Sequence, residues 1–289
     1  MARRDGLGRR ARSALDGIVH ALKPAGMDPD LPARHLLDYA LDGPDGPRAV
    51  VAAGDPAGAT HLTWLVSGMG IRPHTAMWGT AREAAQLAAA QRAAGAPRPV
   101  VLAWLGYAAP TPWRVLLDGP GRRGGERLAA DVAAWWAFTR AGAGQREDAD
   151  AGPPLRARGT AVHGAVEAHS YGSLMAAHAL RLLAEHGLQP DDADAPRPAE
   201  RPVEALVVSG AVGRRRDWTD AMLLPVSPRP GLDGAAVHGH RTARWSPGAG
   251  EHAPRGYRDP GTVTLAATAR VTAGLPLPPE GVGGVPGGG

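Results

Sequence analysis

The sequence predicts an α/β fold in which a mainly parallel sheet is covered by helices on both faces and begins with an antiparallel hairpin. Short apolar runs alternate with longer runs of helical spacing, which is the pattern of a parallel α/β sheet. Two early extended runs are joined by residues 42–46, whose Asp, Gly and Pro predict a hairpin turn. A later apolar run passes at Ser170 directly into a helical run, with no residue left for a loop.

The first half of the chain supplies four strands and three helices. Pro24 follows a short amphipathic run and ends the first helix, while Gly106 ends the fourth strand. The third helix gains an apolar face from Leu128, Val132 and Trp135. Pro, Gly and Arg dominate residues 110–125, which we expect to form a loop. The predicted strands are residues 35–41, 48–53, 61–66 and 99–104, and the predicted helices are residues 16–22, 75–94 and 126–140.

The second half repeats the alternation with longer linkers. The apolar run that starts at Thr160 is a buried strand, and residues 173–186 form the helix after it, with Leu174, Ala177 and Leu180 on one side. Acidic and glycine-bearing residues 141–158 and the Pro/Asp-rich residues 189–202 are expected to be mobile linkers. The remaining predicted elements are a strand at 203–209, a short element at 218–226, a strand at 236–245 and a helix at 262–272.

Composition limits the function classes. A chain of 289 residues with 44% hydrophobic content can bury a core, so we expect one domain at residues 31–274, a basic, partly disordered tail at 1–30 and a disordered Pro/Gly tail at 275–289. With no cysteine, there is no thiolate nucleophile, disulfide or cysteine-ligated metal. A net charge of +4 with scattered arginines argues against nucleic acid as a partner. No apolar stretch reaches membrane-spanning length, so we expect a cytoplasmic protein without membrane binding.

The junction at Ala168-His169-Ser170-Tyr171-Gly172 is the strongest functional signal. A serine between a buried strand and a helix is the nucleophile-elbow arrangement, in which a strained backbone holds the hydroxyl above the sheet. Tight packing of strand against helix requires small residues two positions before and two positions after the serine, and these are Ala168 and Gly172. The alternative is a serine that caps the helix.

Several sequence blocks resemble a known family in their order. They are His35-Leu36-Leu37-Asp38-Tyr39 with Gly54-Asp55-Pro56, Ser67-Gly68-Met69-Gly70, Ala103-Trp104-Leu105-Gly106-Tyr107, His169-Ser170-Tyr171-Gly172-Ser173, Ser209-Gly210 with Val212-Gly213, and His252 with Tyr257, Asp259-Pro260-Gly261 and Thr272-Ala273-Gly274. Together they resemble the actinobacterial α/β-hydrolase family catalogued as a domain of unknown function, DUF1023. The resemblance implies an α/β-hydrolase-like fold and a serine hydrolase whose natural substrate is not established.

The family fold carries its catalytic residues in the order Ser, Asp, His. Ser170 is then the nucleophile, and His252, in the loop before the last helix, is the base; the alternative for His252 is an exposed loop histidine. Asp233 is the natural candidate for the acid that orients the histidine, and Asp217 and Asp220 compete with it from the preceding loop. An ordinary solvated turn residue is an equal interpretation of Asp233.

An oxyanion hole requires two backbone N–H groups aimed at the developing charge. Tyr171 supplies one candidate, because it directly follows the nucleophile at the positive end of a helix. Met69 supplies the other, since Gly68 and Gly70 allow the backbone of this loop to approach closely. A simple glycine turn is the alternative for this loop.

The sequence therefore predicts a serine esterase or acyl hydrolase that acts on a small-molecule acyl substrate without a cofactor or a metal. The alternative is a catalytically silent α/β-hydrolase fold that serves as a binding or scaffold module, because Ala168 stands where the family usually has glycine and the acid is not fixed. The oligomeric state is not predicted.

Overall fold

A seven-stranded sheet forms the centre of the molecule, in the order β1-β2-β4-β3-β5-β6-β7. It is seen in a computed structural model that describes residues 7–23, 30–43, 46–107, 118–141, 162–186, 202–209, 223–225 and 260–275. The strands are β1 (Arg34–Ala40), β2 (Arg48–Ala53), β3 (His61–Val66), β4 (Pro99–Leu105), β5 (His163–His169), β6 (Ala205–Ser209) and β7 (Leu223–Pro225).

The strand directions confirm the predicted fold class. β1 pairs antiparallel with β2, and β2 pairs antiparallel with β4. From β4 through β3, β5 and β6 to β7, every pairing is parallel. β4 is buried along its whole length and β5 at every residue except its two ends, as expected for strands that are covered on both faces.

Helices cover the two faces of the sheet. They are α1 (Arg9–Ala21), α2 (Pro73–Ala93), α3 (Asp118–Ala141), α4 (Tyr171–Glu185) and α5 (Val263–Thr272). Alternate residues of the central strands enter apolar clusters on opposite faces of the sheet. One cluster lies beneath α3 and α4, and on the other face a large cluster beneath α1 and α2 is accompanied by a small one beneath α5. Trp64 and Leu65, which are neighbours in β3, illustrate the alternation, because they belong to opposite clusters.

The first helix begins earlier than the predicted residue 16. Arg9, Arg10 and Arg12 were expected in a mobile tail, but they lie in the first turn of α1. The reason is tertiary packing: α1 buries Leu15 and Ile18 against the sheet, and Gly17 allows it to touch the backbone of Pro73 at the start of α2. This helix is therefore part of the folded domain.

The start of α3 also differs from the sequence prediction. Residues 118–125 were expected to be a loop, and they form the first turns of the helix. The glycines that suggested a loop are used for close packing instead, since a Cβ at Gly121 would meet Leu174 and the Tyr171 hydroxyl, and one at Gly124 would meet Met175. Packing against α4 thus outweighs the low helix propensity of glycine.

The other predicted elements in the described residues agree with the structure to within a few residues at their ends. Thr262 caps α5, because its hydroxyl accepts a hydrogen bond of 3.2 Å from the backbone N–H of Leu265. The strand predicted at 236–245 lies outside the described residues. So do the linkers predicted at 141–158 and 189–202 and the tail predicted at 275–289, except for their boundary residues 141, 202 and 275. Among the helices that are described, none combines the length and apolar character needed to cross a bilayer.

The sheet order produces a crevice between β3 and β5. These neighbouring parallel strands lead into α2 and α4, which lie on opposite faces of the sheet. In open α/β sheets, ligands bind outside the carboxyl ends of strands at such a switch point. The carboxyl ends of β3 and β5 carry Ser67 and Ser170.

Candidate active site

Ser170 has a strained backbone. It lies between the last residue of β5 and the first residue of α4, with φ 52° and ψ −122°. Within the described residues, it is the only non-glycine residue with positive φ. Such a conformation costs on the order of 1–3 kcal/mol and persists only where the surroundings enforce it.

Hydrogen bonds on both sides enforce this conformation. The Ser170 N–H donates to the carbonyl oxygen of Ser209 at 2.8 Å. The Ser170 carbonyl accepts from the Ser173 N–H at 3.0 Å and from the Ser173 hydroxyl at 2.6 Å. The Ser170 side chain makes no capping hydrogen bond to α4, and the residue stays partly exposed while the strand before it is buried. The described contacts therefore fix the backbone of Ser170, while the residue as a whole remains partly exposed.

Two glycines allow the backbone around Ser170 to close up. A Cβ at Gly172 would collide with the carbonyl oxygen of Val66, so α4 can begin against the end of β3 only with glycine there. A Cβ at Gly68 would lie 3.0 Å from the Ser170 Cβ and 3.4 Å from its Oγ. The loop after β3 therefore passes directly beside the serine side chain. Ala168 is fully buried in the core, so its methyl group is accommodated.

The two predicted oxyanion donors belong to the two segments that adjoin Ser170, the start of α4 and the loop after β3. Tyr171 is the first residue of α4, where helix N–H groups lack partners within the helix. Met69 follows Gly68, and Gly70 after it has a left-handed φ of 75°. Met69 itself is 41% exposed.

A buried tyrosine contacts the loop after β3. The Tyr107 hydroxyl donates to the carbonyl oxygen of Gly68 at 2.9 Å and lies 3.3 Å from that of Ser67. Its ring stacks on Trp104, with ring centres 5.9 Å apart. Burial raises the pKa of Tyr107 far above that of a free tyrosine, so the hydroxyl stays protonated and available as a donor.

A second polar group lies behind Ser170. The Ser209 hydroxyl donates to Glu167 Oε1 at 3.4 Å and contacts His169 Nδ1 at 3.1 Å. Glu167 is only 2% exposed. Ser209 thus joins a buried carboxylate to the imidazole beside the nucleophile, and its carbonyl also holds the Ser170 N–H.

A cavity of about 450 Å³ opens beside Tyr107, between the end of β4 and α3. Its lining includes Arg123, Glu126, Arg127 and Asp131. Burial raises the pKa of Asp131, which accepts a hydrogen bond of 2.8 Å from the Trp104 indole. The cavity is therefore charged, and it shares Tyr107 with the loop beside Ser170.

The structure places Tyr171 directly after Ser170 at the start of α4, and it places Gly68, the residue before Met69, against the Ser170 side chain. His252 and Asp233, together with the competing Asp217 and Asp220, lie outside the described residues. Among the residues that are described, no three His, Asp or Glu side chains are grouped so that they could hold a metal ion. Sequence reasoning missed Tyr107 and Ser209, although both belong to the sequence blocks given above. The available signal was their position at the carboxyl ends of β4 and β6.

A known protein family matches the part of the chain that contains this site. The family model described as alpha/beta hydrolase matches residues 42–191, slightly more than half of the chain. The matched range contains β3, the loop after it, Tyr107 and the Ser170 corner. No curated protein matches the sequence.

Solved esterase structures are similar to part of the chain. A fungal esterase from Rhizomucor miehei is 14% identical with a TM-score of 0.38, and the alignment covers 71% of this chain and 51% of the esterase. The hyperthermophilic esterase from Pyrobaculum calidifontis is 16% identical with a TM-score of 0.35, covering 70% and 51%. Esterase LipW from Mycobacterium marinum is 18% identical with a TM-score of 0.33, covering 72% and 50%. This chain therefore spans about half the length of these structures.

Proposed function

Since this chain belongs to the alpha/beta hydrolase family, we propose that it is a serine hydrolase that cleaves an ester or related acyl bond through an acyl-enzyme on Ser170. The order of the sequence blocks further suggests the DUF1023 type within that family. The observation that carries the proposal is the strained, partly exposed Ser170 at the carboxyl end of β5. A protein retains such a conformation where the strain serves a function.

The proposed reaction has two steps. In the first, Ser170 Oγ attacks the acyl carbon, its proton passes to His252, and the bond to the leaving alcohol breaks as His252 returns the proton to that alcohol. In the second, water attacks the acyl-enzyme and gives one proton to His252. The bond to Ser170 then breaks, the acid is released, and the proton returns to Ser170 Oγ. Asp233 is the proposed partner that keeps the imidazole in the required tautomer.

The Tyr171 and Met69 N–H groups are the proposed donors to the tetrahedral oxyanion. Two features support this assignment: α4 places the positive end of its dipole at Ser170, and Gly68 brings the backbone next to Met69 close to the serine. Loss of one such donor typically lowers kcat by about 10²–10³-fold.

A fluorophosphonate probe tests the proposal on the full chain. We expect one covalent adduct per molecule, located by mass spectrometry on the peptide that contains Ser170, together with hydrolysis of p-nitrophenyl acetate or butyrate. The Ser170→Ala variant should lose both. Ser13→Ala, which removes an exposed serine on α1, is the matched control and should keep both. A well-folded wild-type protein without adduct and without turnover would favour the silent scaffold.

A set of single substitutions identifies the acid and the base. His252→Ala should lower kcat by at least about 10⁴-fold. Of Asp233→Asn, Asp217→Asn and Asp220→Asn, we expect only the first to lower kcat strongly. Full activity of Asp233→Asn would transfer the acid role to whichever of the other two variants is impaired.

A further inference from the structure

Tyr107 and the proposed oxyanion donor Met69 are connected through one peptide unit. The carbonyl of Gly68 and the N–H of Met69 belong to the same planar trans peptide, so they point in opposite directions. The carbonyl oxygen points to the Tyr107 hydroxyl, 2.9 Å away on the buried side of the loop. The Met69 N–H therefore points away from Tyr107.

On the basis of the proposed function, we infer that Tyr107 is a positioning residue: its hydroxyl holds the Gly68–Met69 peptide in the orientation that makes the Met69 N–H an oxyanion donor. Tyr107 does not touch the substrate in this account. It acts through the backbone of Met69, because rotation of the peptide would turn the N–H away from the developing charge. A hydrogen bond to the carbonyl also polarises the peptide and strengthens its N–H as a donor.

The tyrosine is well suited to this role because its own position is fixed. Its ring lies nearly parallel to Trp104, with an angle of 7° between the planes. Trp104 in turn donates from its indole to Asp131 at 2.8 Å. A Cβ at Gly124 of α3 would lie 3.3 Å from the Tyr107 ring, which shows how closely the helix covers it. Preorganised donors of this kind cost no reorganisation at the moment of reaction.

Both carbonyls of the loop that lie near the Tyr107 hydroxyl support its role in positioning the loop. Gly68 and Ser67 present successive carbonyls to one hydroxyl, at 2.9 and 3.3 Å. The phenol remains a neutral donor over the working pH range because burial raises its pKa. The effect of Tyr107 on the rate should therefore not depend on pH between about 6 and 9, unlike that of a titrating base.

The Tyr107→Phe variant removes only the hydroxyl and keeps the stacked ring. We expect kcat for p-nitrophenyl acetate to fall roughly 10- to 100-fold while KM changes less than about threefold, since the interaction matters mainly in the transition state. The decrease should be the same at each pH tested. Tyr39→Phe, which removes a phenol hydroxyl from the edge strand β1, is the matched control and should keep the wild-type kcat.

An NMR measurement tests the peptide orientation without turnover. In Tyr107→Phe, we expect the backbone ¹⁵N resonance of Met69 to shift, since it reports the hydrogen bond to the preceding carbonyl, while amides of β1 stay in place. If Tyr107→Phe does not fold, 3-fluorotyrosine at position 107 serves instead. It keeps the shape, makes the phenol a stronger donor, and should shift the same resonance.

The outcomes separate the two proposals. A wild-type protein that is inert towards both probe and ester overturns the proposed function and, with it, the oxyanion role. An active wild-type protein whose Tyr107→Phe variant keeps full kcat, or whose Met69 resonance does not move in either variant, overturns the positioning role alone.

Discussion

The two ends of β3 and β5 carry polar side chains in very different settings. At the carboxyl ends, Ser170 has a left-handed backbone, and the loop at Gly68 passes within contact distance of its side chain. At the amino ends, His61 and His163 lie side by side in regular parallel pairing, with ring centres 5.6 Å apart. The same two strands thus carry a residue with a strained backbone at one end and a pair in regular strand geometry at the other.

The amino-end pair is tied into its surroundings by hydrogen bonds. His163 Nδ1 lies 2.9 Å from Glu204 Oε2, and His61 Nδ1 lies 2.9 Å from the Thr60 hydroxyl. The carboxyl-end serine has its backbone fixed by Ser209 and Ser173, while its side chain makes no capping bond to the helix that follows. At the amino ends the hydrogen bonds hold the histidine side chains, whereas at the carboxyl end they hold the backbone of Ser170.

The two ends of these strands should affect different properties of the protein, the carboxyl ends its activity and the amino ends its stability. Changes at the carboxyl ends should alter the reaction and leave the fold intact or even more stable. Changes at the amino ends should alter stability and leave turnover per folded molecule unchanged. Natural proteins accept strain at functional sites, and relief of that strain commonly raises stability at the expense of activity.

The largest effect is expected from Ser170 itself. Both Ser170→Ala and Ser170→Gly should lower kcat by at least about 10⁴-fold. A positive φ is unfavourable for alanine but not for glycine. The glycine variant should therefore be more stable than the alanine variant by about 1–2 kcal/mol. Urea unfolding measures this difference. At an ordinary helix or strand position, the glycine variant would be the less stable of the two. If Ser170→Gly were less stable than Ser170→Ala, the backbone at position 170 would not be strained.

A pair of glycine substitutions compares the two ends directly. Gly68→Ala places a methyl group 3.0 Å from the Ser170 Cβ, and we expect kcat/KM to fall roughly 10- to 100-fold with little loss of stability. Gly164→Ala, near the amino end of β5, would collide with the Pro202 carbonyl and should cost about 2–4 kcal/mol. Kinetics normalised to the number of probe-labelled sites separate the two. An equal loss of turnover per labelled site in both variants would show that the two ends of the strands do not differ in their effect on catalysis.

Much of the fold could be predicted because its signals are local. The hairpin turn, the short apolar runs and the small residues around Ser170 all act within a few positions of the chain. The starts of α1 and α3 could not be predicted, since they depend on packing between distant elements. Gly17 against Pro73 and Gly121 against Tyr171 are contacts of this kind.

The same limit applies to the candidate site. Ser170 was predicted from its place between a strand and a helix, with the small residues Ala168 and Gly172 around it, and Met69 was predicted from its glycine neighbours. Tyr107 was not, because it acts on a backbone carbonyl 39 positions away, and a backbone acceptor leaves no side-chain pattern in the sequence. The roles of His252 and Asp233 stay predictions, because both residues lie outside the described part of the chain.

The smallest effect concerns His61 and the pH dependence of stability. Burial, and next the neighbouring His163, lower the pKa of His61, while Glu204 and the Ala273 backbone oppose this. The unfolded chain therefore binds a proton at His61 near pH 6.5, where the folded chain does not, so stability is lost as the pH falls below about 6.5.

His61→Asn should reduce the drop in Tm between pH 7.5 and 5.5 without changing kcat per labelled site. His35→Asn, at an exposed position in β1, should leave the drop in Tm unchanged. An unchanged drop in His61→Asn, or a loss of turnover, would show that the amino-end pair is not the purely structural counterpart of the Ser170 corner.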